Sequence, residues 1–430
     1  MEPASLPAPR FCLSSGLNDY SVERGYSLTH TLVSFLGRGN PDRGKRYRQA
    51  TYEFAPGQQQ TTEFFGLGLL QQIQPDRLLI LGTTGSMWDV LLFSLGLGQE
   101  YDEALLALTE SADADRTTQE ELDGLTTVVS ARLGLPVTLR LIPYGRDTGE
   151  QVEILQRMAL DLAEGDAVTL DVTHGLRHLP MLAQMSALYL RRVKNVEARG
   201  LYYGALDMTR NGLTPVMNLA GLLRIAEWVG ALNTFDKDGD YGAFADLMEQ
   251  DGVSTHQANY LRRAAFRERT SNAWEARADL RNLDAVLDSG LPGMSALFAD
   301  QLKTRIRWHK GQDLLAWQRE LALEYLGRSD YIRSTIYAFE GFVTSLIDDK
   351  KERFWDFQDR DRVRKEYQSG LRGKKLLFGD YFLLKGLRNA LAHGTRPDDS
   401  KIRHKVESAL SDSKLLQEEL RRLIKKLLPR

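Results

Sequence analysis

The chain has 430 residues, of which 42% are hydrophobic and 27% charged, a composition typical of a globular protein with enough core for two or three domains. Its 56 basic and 58 acidic residues leave a net charge of -2, which excludes nonspecific polyanion binding over the whole surface, so any nucleic-acid site must be a local concentration of charge. The single cysteine, Cys12, excludes an internal disulfide framework and a cysteine-clustered zinc site, and it favours a reducing, cytoplasmic location.

Strand and helix signals alternate in the first half of the chain. Residues 1–30 lack the apolar core of a signal peptide, and we expect an extension with one short strand at 11–13. From residue 31 onward, short apolar runs alternate with helical periodicity, which predicts an α/β domain with a Rossmann-like, doubly wound and mainly parallel sheet. The predicted strands are 31–36, 47–54, 77–81, 136–142, 167–172, 196–203 and 214–218. The predicted helices are 60–73, 87–97, 101–108, 118–133, 149–164 and one that ends near 193.

The strand signal disappears after residue 235, and the charged turn at 236–240 marks the predicted boundary. The apolar segment 216–232 carries Arg224 and Glu227, so no uninterrupted apolar run reaches the length of a membrane span. The predicted helices are 241–250, 255–289, 296–308, 312–326, 329–348, 358–368, 376–392 and 401–428. We therefore predict the extension 1–30, an α/β domain at 31–235, a helical connector at 236–310 and an all-α domain at 311–430.

Three predicted strand ends combine glycines with polar side chains. The segments are 37–39, 82–86 and 171–178. Doubly wound sheets bind ligands beyond the carboxyl ends of their strands, where glycines permit close backbone approach and helix N-termini offer N–H groups to phosphates. The candidate ligand-binding residues are Gly37, Arg38, Gly39, Gly82, Thr83, Thr84, Gly85, Ser86, Asp171, Thr173, His174, Gly175, Arg177 and His178.

Each of these loops also has a purely structural interpretation. The 82–86 loop lacks the lysine of a P-loop, and 37–39 lacks the third glycine of a dinucleotide fingerprint, so either could be a tight βα turn with a capping hydroxyl. His174 and His178 are four residues apart and could hold a metal with Asp171. Because no cysteine lies nearby, polar contacts to a ligand fit better, and we predict no metal site.

A second candidate site lies near the C-terminus, in the run Leu-Arg-Asn-Ala-Leu-Ala-His-Gly at 387–394. Arg388 and His393 are five residues apart, a rotation of about 140°, so they do not share one stripe of a helix. Gly394 is a typical helix terminator, which would leave His393 on the last turn, free to swing inward. Alternatively, two chains could each donate one helix. Both residues could also be ordinary surface residues, since a histidine at a helix C-terminus is favoured by the helix dipole.

These motifs together resemble a known family. Asp-Val-Thr-His-Gly at 171–175 matches the Asp-x-Thr-His-Gly signature of CRISPR-associated CARF proteins, and Val-Ser-Phe-Leu-Gly-x-Gly at 33–39 and Gly-Thr-Thr-Gly-Ser at 82–86 recur in the same family. Arg-Asn-x-x-x-His at 388–393 resembles the signature of HEPN ribonucleases. Both signatures in this order resemble the CARF–HEPN ancillary ribonucleases of type III CRISPR systems.

The resemblance implies a homodimer, or a dimer-based oligomer, that binds a cyclic oligoadenylate and cuts single-stranded RNA without a metal cofactor. Cyclic tetra-adenylate is the expected ring, although Arg38 stands where the family more often has threonine, which leaves open a choice of four or six adenylates. Arg388, Asn389 and His393 would be catalytic and leave a 2′,3′-cyclic phosphate, with Glu340 as a candidate helper. Basic residues around the motif suit an RNA partner, and they are Lys374, Lys375, Lys385, Lys401, Arg403 and Lys405.

Three other functions remain open at this point. The chain could be a cyclic-nucleotide-binding regulator whose helical domain only dimerises. The CARF site could itself degrade the ring. A nicotinamide-dependent oxidoreductase ranks last, because the dinucleotide fingerprint is missing.

Overall fold

The computed structural model describes residues 28–38, 48–347, 351–373 and 375–429. The predicted strand at 11–13 and nearly all of the predicted extension at 1–30 lie outside this range. The chain forms two compact units that divide between Ala220 and Gly221. No helix in the described ranges combines the length and apolarity that crossing a membrane requires.

The first unit is an α/β domain, as predicted. Its strands are β1 (His30–Leu36), β2 (Ala50–Ala55), β3 (Gln58–Thr62), β4 (Arg77–Gly82), β5 (Val137–Leu141), β6 (Ala167–Asp171), β7 (Glu197–Gly204) and β8 (Leu213–Asn218). Its α-helices are α1 (Phe65–Ile73), α2 (Trp88–Ser94), α3 (Asp102–Asp113), α4 (Gln119–Leu133), α5 (Thr148–Leu160) and α6 (Leu179–Lys194).

The eight described strands form one sheet in the order β3-β2-β8-β7-β6-β1-β4-β5. Its centre, from β7 to β5, is entirely parallel, whereas β2 with β3 and β7 with β8 pair antiparallel. The sequences of strands β1, β4 and β6 are nearly continuous apolar runs, because helices cover both faces of a parallel sheet. Leu32, Val33 and Phe35 of β1 are accordingly fully buried.

The prediction of a helix at 60–73 was partly wrong. Gln58–Thr62 instead pairs antiparallel with β2. Gly57 makes the hairpin turn at φ +81°, a conformation that favours glycine. Strand pairing takes up the backbone as far as Thr62, and the helix begins only at Phe65.

The second unit is all-helical among its described residues, as predicted. Its α-helices are α7 (Ala220–Asp238), α8 (Ala245–Gln250), α9 (Thr255–Arg269), α10 (Ala273–Asp288), α11 (Gly293–Arg305), α12 (Leu314–Gly327), α13 (Tyr331–Thr344), α14 (Phe357–Gln368), α15 (Phe378–His393), α16 (Ser400–Leu410) and α17 (Ser413–Leu427). Two helices predicted as single rods are each broken in two. Asn272 caps the start of α10, and Asp412 caps the start of α17.

One core runs through the helical unit, from Trp228 of α7 to Leu428. Helix α7 belongs to this core through Trp228, Ala231 and Phe235, which explains why the division falls at 220 and not at the predicted 235. Buried side chains from 241–308 and from 317–428 share the same core. The described residues therefore show no separate connector that ends at 310.

Candidate functional site

The switch point of the sheet lies at β1. Strands β4 and β5 lie on one side of β1, and β6 and β7, which follow them in the chain, lie on the other side. Because these strands are parallel, the loops that follow β1, β4, β5 and β6 all emerge at the same edge of the sheet. Ligands of doubly wound folds bind in the crevice at such a point.

Two glycines allow the loops after β1 and β6 to meet at this edge. A Cβ atom on Gly37 would lie 2.7 Å from the backbone nitrogen of Gly175, closer than the two loops could tolerate. Gly175 has φ +115°, where a side chain would be strained. Two of the sequence-predicted residues are thus brought into direct backbone contact. Gly39, the third predicted glycine, lies outside the described residues.

Asp171 is fully buried at the end of β6. Its carboxylate accepts hydrogen bonds from the Ser34 hydroxyl at 2.5 Å and from the Thr173 N–H at 2.8 Å. Burial raises the pKa of Asp171 to about 6, and the hydrogen bonds from Ser34 and Thr173 oppose that rise. Asp171 therefore shapes the loop from beneath and does not face solvent.

His174 is also turned into the protein. Its ring stacks on Phe64 at a centroid distance of 5.4 Å, and its Nε2 accepts a hydrogen bond from the Phe65 N–H at 3.2 Å. Burial lowers the pKa of His174 to about 3, so the imidazole is neutral at physiological pH. It ties the β6 loop to the start of α1.

The hydroxyls of Thr83 and Ser86 are buried as well. The Ser86 hydroxyl accepts from the Thr83 N–H at 2.8 Å and donates to the Leu36 carbonyl at 2.9 Å, which joins the β4 loop to the end of β1. The Trp88 indole N–H donates to the Thr83 carbonyl at 2.9 Å. A Cβ atom on Gly82 would lie 2.6 Å from the Trp88 ring. These residues brace the loops against each other.

A different subset of the predicted residues reaches the surface. Arg38, Gly175 and Arg177 are exposed, and Thr173 and His178 are partly exposed. The Thr173 hydroxyl accepts from the N–H of a β7 residue, and the Nε2 of His178 lies 2.7 Å from the carbonyl of a residue that follows β5. The two histidines therefore do not converge on a common point. The exposed guanidinium groups are the natural partners for phosphate.

The structure adds a polar cluster that the sequence did not reveal. Asp115 accepts hydrogen bonds from the Thr84 hydroxyl at 2.6 Å and from the Tyr144 hydroxyl at 2.5 Å, and its other oxygen lies 3.8 Å from the Arg38 guanidinium. The hydrogen bond from Thr84, then that from Tyr144, lowers the pKa of Asp115, and Arg38 adds to the effect. A Cβ atom on Gly85 would lie 2.8 Å from the Asp115 carboxylate, so the glycine gives it room.

The position of Tyr144 directly after β5 is a signal that could have been used, because β5 ends at the same edge of the sheet. Asp115 gave no such signal, since it lies between two helices, far in sequence from any strand end. The Arg146 guanidinium stacks over the Tyr144 ring at 4.6 Å and brings a further cation to this loop. Arg38, Arg146 and Arg177 thus follow three of the four converging strands, an arrangement suited to a ligand with several phosphates.

The second predicted site occupies the end of α15. The helix ends at His393, and Gly394 follows it in the left-handed conformation at φ +69°, which confirms the predicted termination. The Arg388 guanidinium donates to the Asn389 side-chain oxygen at 2.7 Å and lies 4.8 Å above the Phe339 ring. His393 is exposed. Within one chain, Arg388 and Asn389 are joined and His393 stands apart, as the five-residue spacing predicts.

The other residues predicted around α15 have mixed roles. The Glu340 carboxylate accepts from the Arg360 guanidinium at 2.7 Å, so its partner is a residue of α14. Lys385 is partly buried on α15, and the Arg403 guanidinium donates to the Pro397 carbonyl at 2.8 Å. Lys375, Lys401 and Lys405 are exposed, whereas Lys374 lies outside the described ranges.

Comparisons with known proteins agree with this picture of the first unit. Residues 31–207 match the family described as CRISPR system endoribonuclease Csx1, CARF domain. The CRISPR-associated protein MJ1674 of Methanocaldococcus jannaschii is 27% identical over 246 residues, which cover 52% of this chain and 39% of that protein. The matched part is thus about two fifths of the relative's length. The α/β unit, with its glycine contact at the switch point, is therefore similar over residues 31–207 to a CARF domain of the Csx1 type.

Proposed function

We propose that this protein is a metal-independent endoribonuclease of type III CRISPR defence, activated when its CARF domain binds a cyclic oligoadenylate. The observation that carries the proposal is the end of α15. There, an arginine without a carboxylate partner among the described residues and an exposed histidine share the last turns of one helix. CARF domains as a class bind cyclic oligoadenylates, and the first unit is similar to that class.

The ligand would sit over the edge where Gly37 meets Gly175. Close backbone approach there leaves room for a flat or ring-shaped ligand, and Arg38, Arg146 and Arg177 would face its phosphates. A ring of identical nucleotides has rotational symmetry, so a two-fold dimer with facing CARF domains is the economical receptor. Cyclic tetra-adenylate suits two copies of one loop set.

The same two-fold would bring two copies of α15 together. The RNA 2′-oxygen attacks the adjacent phosphorus, the 2′-hydroxyl proton goes to a neutral histidine, and the bond to the 5′-oxygen breaks as that oxygen gains a proton. Two His393 imidazoles, one from each chain, would supply the base and the acid. Arg388 would stabilise the charge that develops on the phosphorus oxygens, and Asn389 would hold the guanidinium through its 2.7 Å hydrogen bond. The products are a 2′,3′-cyclic phosphate and a 5′-hydroxyl.

The test incubates the full chain with labelled single-stranded RNA and a chelator, with no ring, cyclic tetra-adenylate or cyclic hexa-adenylate. Cleavage is expected only with a ring. His393→Ala should reduce the rate by about 100- to 10,000-fold. Arg388→Ala should reduce it by about 100- to 1,000-fold. His256→Ala, which removes an exposed imidazole of α9, is the matched control.

Ring affinity, measured by calorimetry, should be unchanged in all three variants. Wild-type cleavage rates in both His393→Ala and Arg388→Ala would refute the ribonuclease assignment and favour a regulatory binding protein. Consumption of the ring without RNA cleavage would assign the chemistry to the CARF domain.

A further inference from the structure

A groove runs alongside the proposed catalytic segment in the helical unit. Its volume is about 500 Å³, within the range of small-molecule sites. It extends from α15 to the loop before α16, and Asn389 forms part of its wall. Its lining residues are Phe382, Lys385, Gly386, Asn389, Thr395, Arg396, Pro397, Asp398, Asp399 and Ile402. The groove is therefore contiguous with the residue that holds the Arg388 guanidinium.

Two of the positive charges beside this groove, those of Lys385 and Arg388, have no carboxylate partner among the described residues. Burial lowers the pKa of Lys385, and nearby Arg364 and Arg388 lower it further. In the part of the chain that the structure describes, neither Lys385 nor Arg388 forms an ion pair with a carboxylate, whereas Arg364 pairs with Asp361. A site where cations crowd together gains free energy when an anion arrives.

The carboxylates of the groove do not cancel this charge. Asp399 accepts from the Ile402 N–H at 2.8 Å, as the N-cap of α16. Asp398 is exposed in the loop that follows α15. The Arg396 guanidinium donates to the carbonyls of residues 394 and 395, at 3.3 and 3.2 Å. The groove thus has cations beside α15, and one arginine with two aspartates in the segment before α16.

The same groove offers apolar walls at the right place for a base. Phe382 is partly buried on α15, and the Lys385 ammonium lies 5.9 Å from the centre of its ring. Pro397 and Ile402 form apolar surface in the same lining. Single-stranded nucleic acids bind where aromatic side chains stack with bases and cations follow the backbone.

We propose that this groove holds one nucleotide of the RNA substrate next to the scissile phosphate, with its base against Phe382 and its backbone phosphate at Lys385. The inference rests on the proposed function, because it makes the groove the subsite that chooses where the RNA is cut. A base held there would place the following phosphate beside Arg388. Asp398, at the far end, would accept a hydrogen bond from an exocyclic amine.

The test separates binding from cleavage by using a His393→Ala background. Binding of a fluorescent single-stranded RNA to the full chain is measured with ring present, over a series of salt concentrations. Lys385→Ala should reduce the slope of log affinity against log salt by about 0.7, the effect of one phosphate contact on a single strand. Lys425→Ala, which removes an exposed lysine of α17, should leave the slope unchanged.

Two further measurements locate the base. Phe382→Leu keeps an apolar side chain but loses the stacking face, and it should weaken binding by at least about fivefold without changing the salt slope. Photo-crosslinking of a 5-iodouridine RNA should map to the peptide that contains Phe382. In the protein with His393 intact, Phe382→Leu should also change the base preference at the cut.

The outcomes distinguish this inference from the proposed function. RNA that crosslinks at Phe382 but is never cut by the wild type supports the groove as an RNA-binding site and refutes both the ribonuclease and the groove's role in choosing the cut. RNA that is cut, with Lys385→Ala and Phe382→Leu indistinguishable from Lys425→Ala, refutes the groove alone. A wild type that neither binds nor cuts RNA with any ring refutes both.

Discussion

Replacing Asp171 with asparagine should remove a pH-dependent component of stability from the CARF domain. Asparagine keeps the shape of the side chain, can accept from the Thr173 N–H and can donate to the Ser34 oxygen, so the loop contacts of the fully buried carboxyl survive. What changes is the titration. The wild-type carboxyl has a pKa of about 6 in the folded protein, against an ordinary value of 3.8.

The magnitude follows from linkage between protonation and folding. A rise from 3.8 to about 6 corresponds to about 3 kcal/mol, at about 1.4 kcal/mol per pKa unit. Because the folded-state pKa is the higher one, this contribution is fully present below about pH 4 and is lost as the pH rises through about 6. Between about pH 5 and about pH 7.5 the wild type should therefore lose about 1.4 kcal/mol that the variant does not lose.

Hydrogen exchange of peptides that span 167–175, followed by mass spectrometry, measures the local free energy of opening. The ratio of wild-type to variant exchange rates should increase about tenfold between about pH 5 and about pH 7.5, and other titrating groups cancel in this ratio. Asp207→Asn, which removes an exposed carboxylate of the same unit, controls for the loss of one charge. A ratio that is constant over this range would refute the assignment of a raised pKa to Asp171.

Three further predictions test other features. Gly37→Ala would place a Cβ atom 2.7 Å from the Gly175 nitrogen and should destabilise the CARF domain by about 1–3 kcal/mol. As a control, Gly124→Ala in the open interior of α4 should stabilise the domain by up to about 1 kcal/mol. Thermal unfolding measures both effects, and equal effects would contradict the close contact. Asp115→Asn removes the half-exposed ion pair with Arg38 and should tighten binding of a cyclic oligoadenylate by about two- to fivefold, as measured by calorimetry. Weaker binding would show that the carboxylate itself contacts the ligand. Gly394→Ala, at φ +69°, should lower the free energy of unfolding of the helical unit by about 1 kcal/mol. It should also slow RNA cleavage, because the turn that carries the proposed catalytic histidine would fray. Unchanged cleavage rates would contradict this expectation.

Much of the fold could be predicted because its signals are local. The apolar runs of β1, β4 and β6 are buried strands in a parallel sheet, as their composition indicates. Gly394 ends α15 because glycine adopts the left-handed conformation without strain. The breaks before α10 and α17 were missed, although Asn272 and Asp412 are good capping residues, because helical periodicity continues across both.

The sequence by itself determined which loops meet at the edge of the sheet, since the alternating strand and helix pattern predicts parallel strands whose carboxyl ends precede the segments 37–39, 82–86 and 171–178. Only the tertiary structure decided which side chains of those loops face solvent and which are buried. Asp171, His174 and Ser86 turn inward, whereas Arg38 and Arg177 turn outward. Short polar side chains at a strand end can either brace the backbone or contact a ligand, and packing against distant residues selects between the two. The partners of Asp115 come together for the same reason, because residues far apart in sequence meet only when the sheet and its helices have packed.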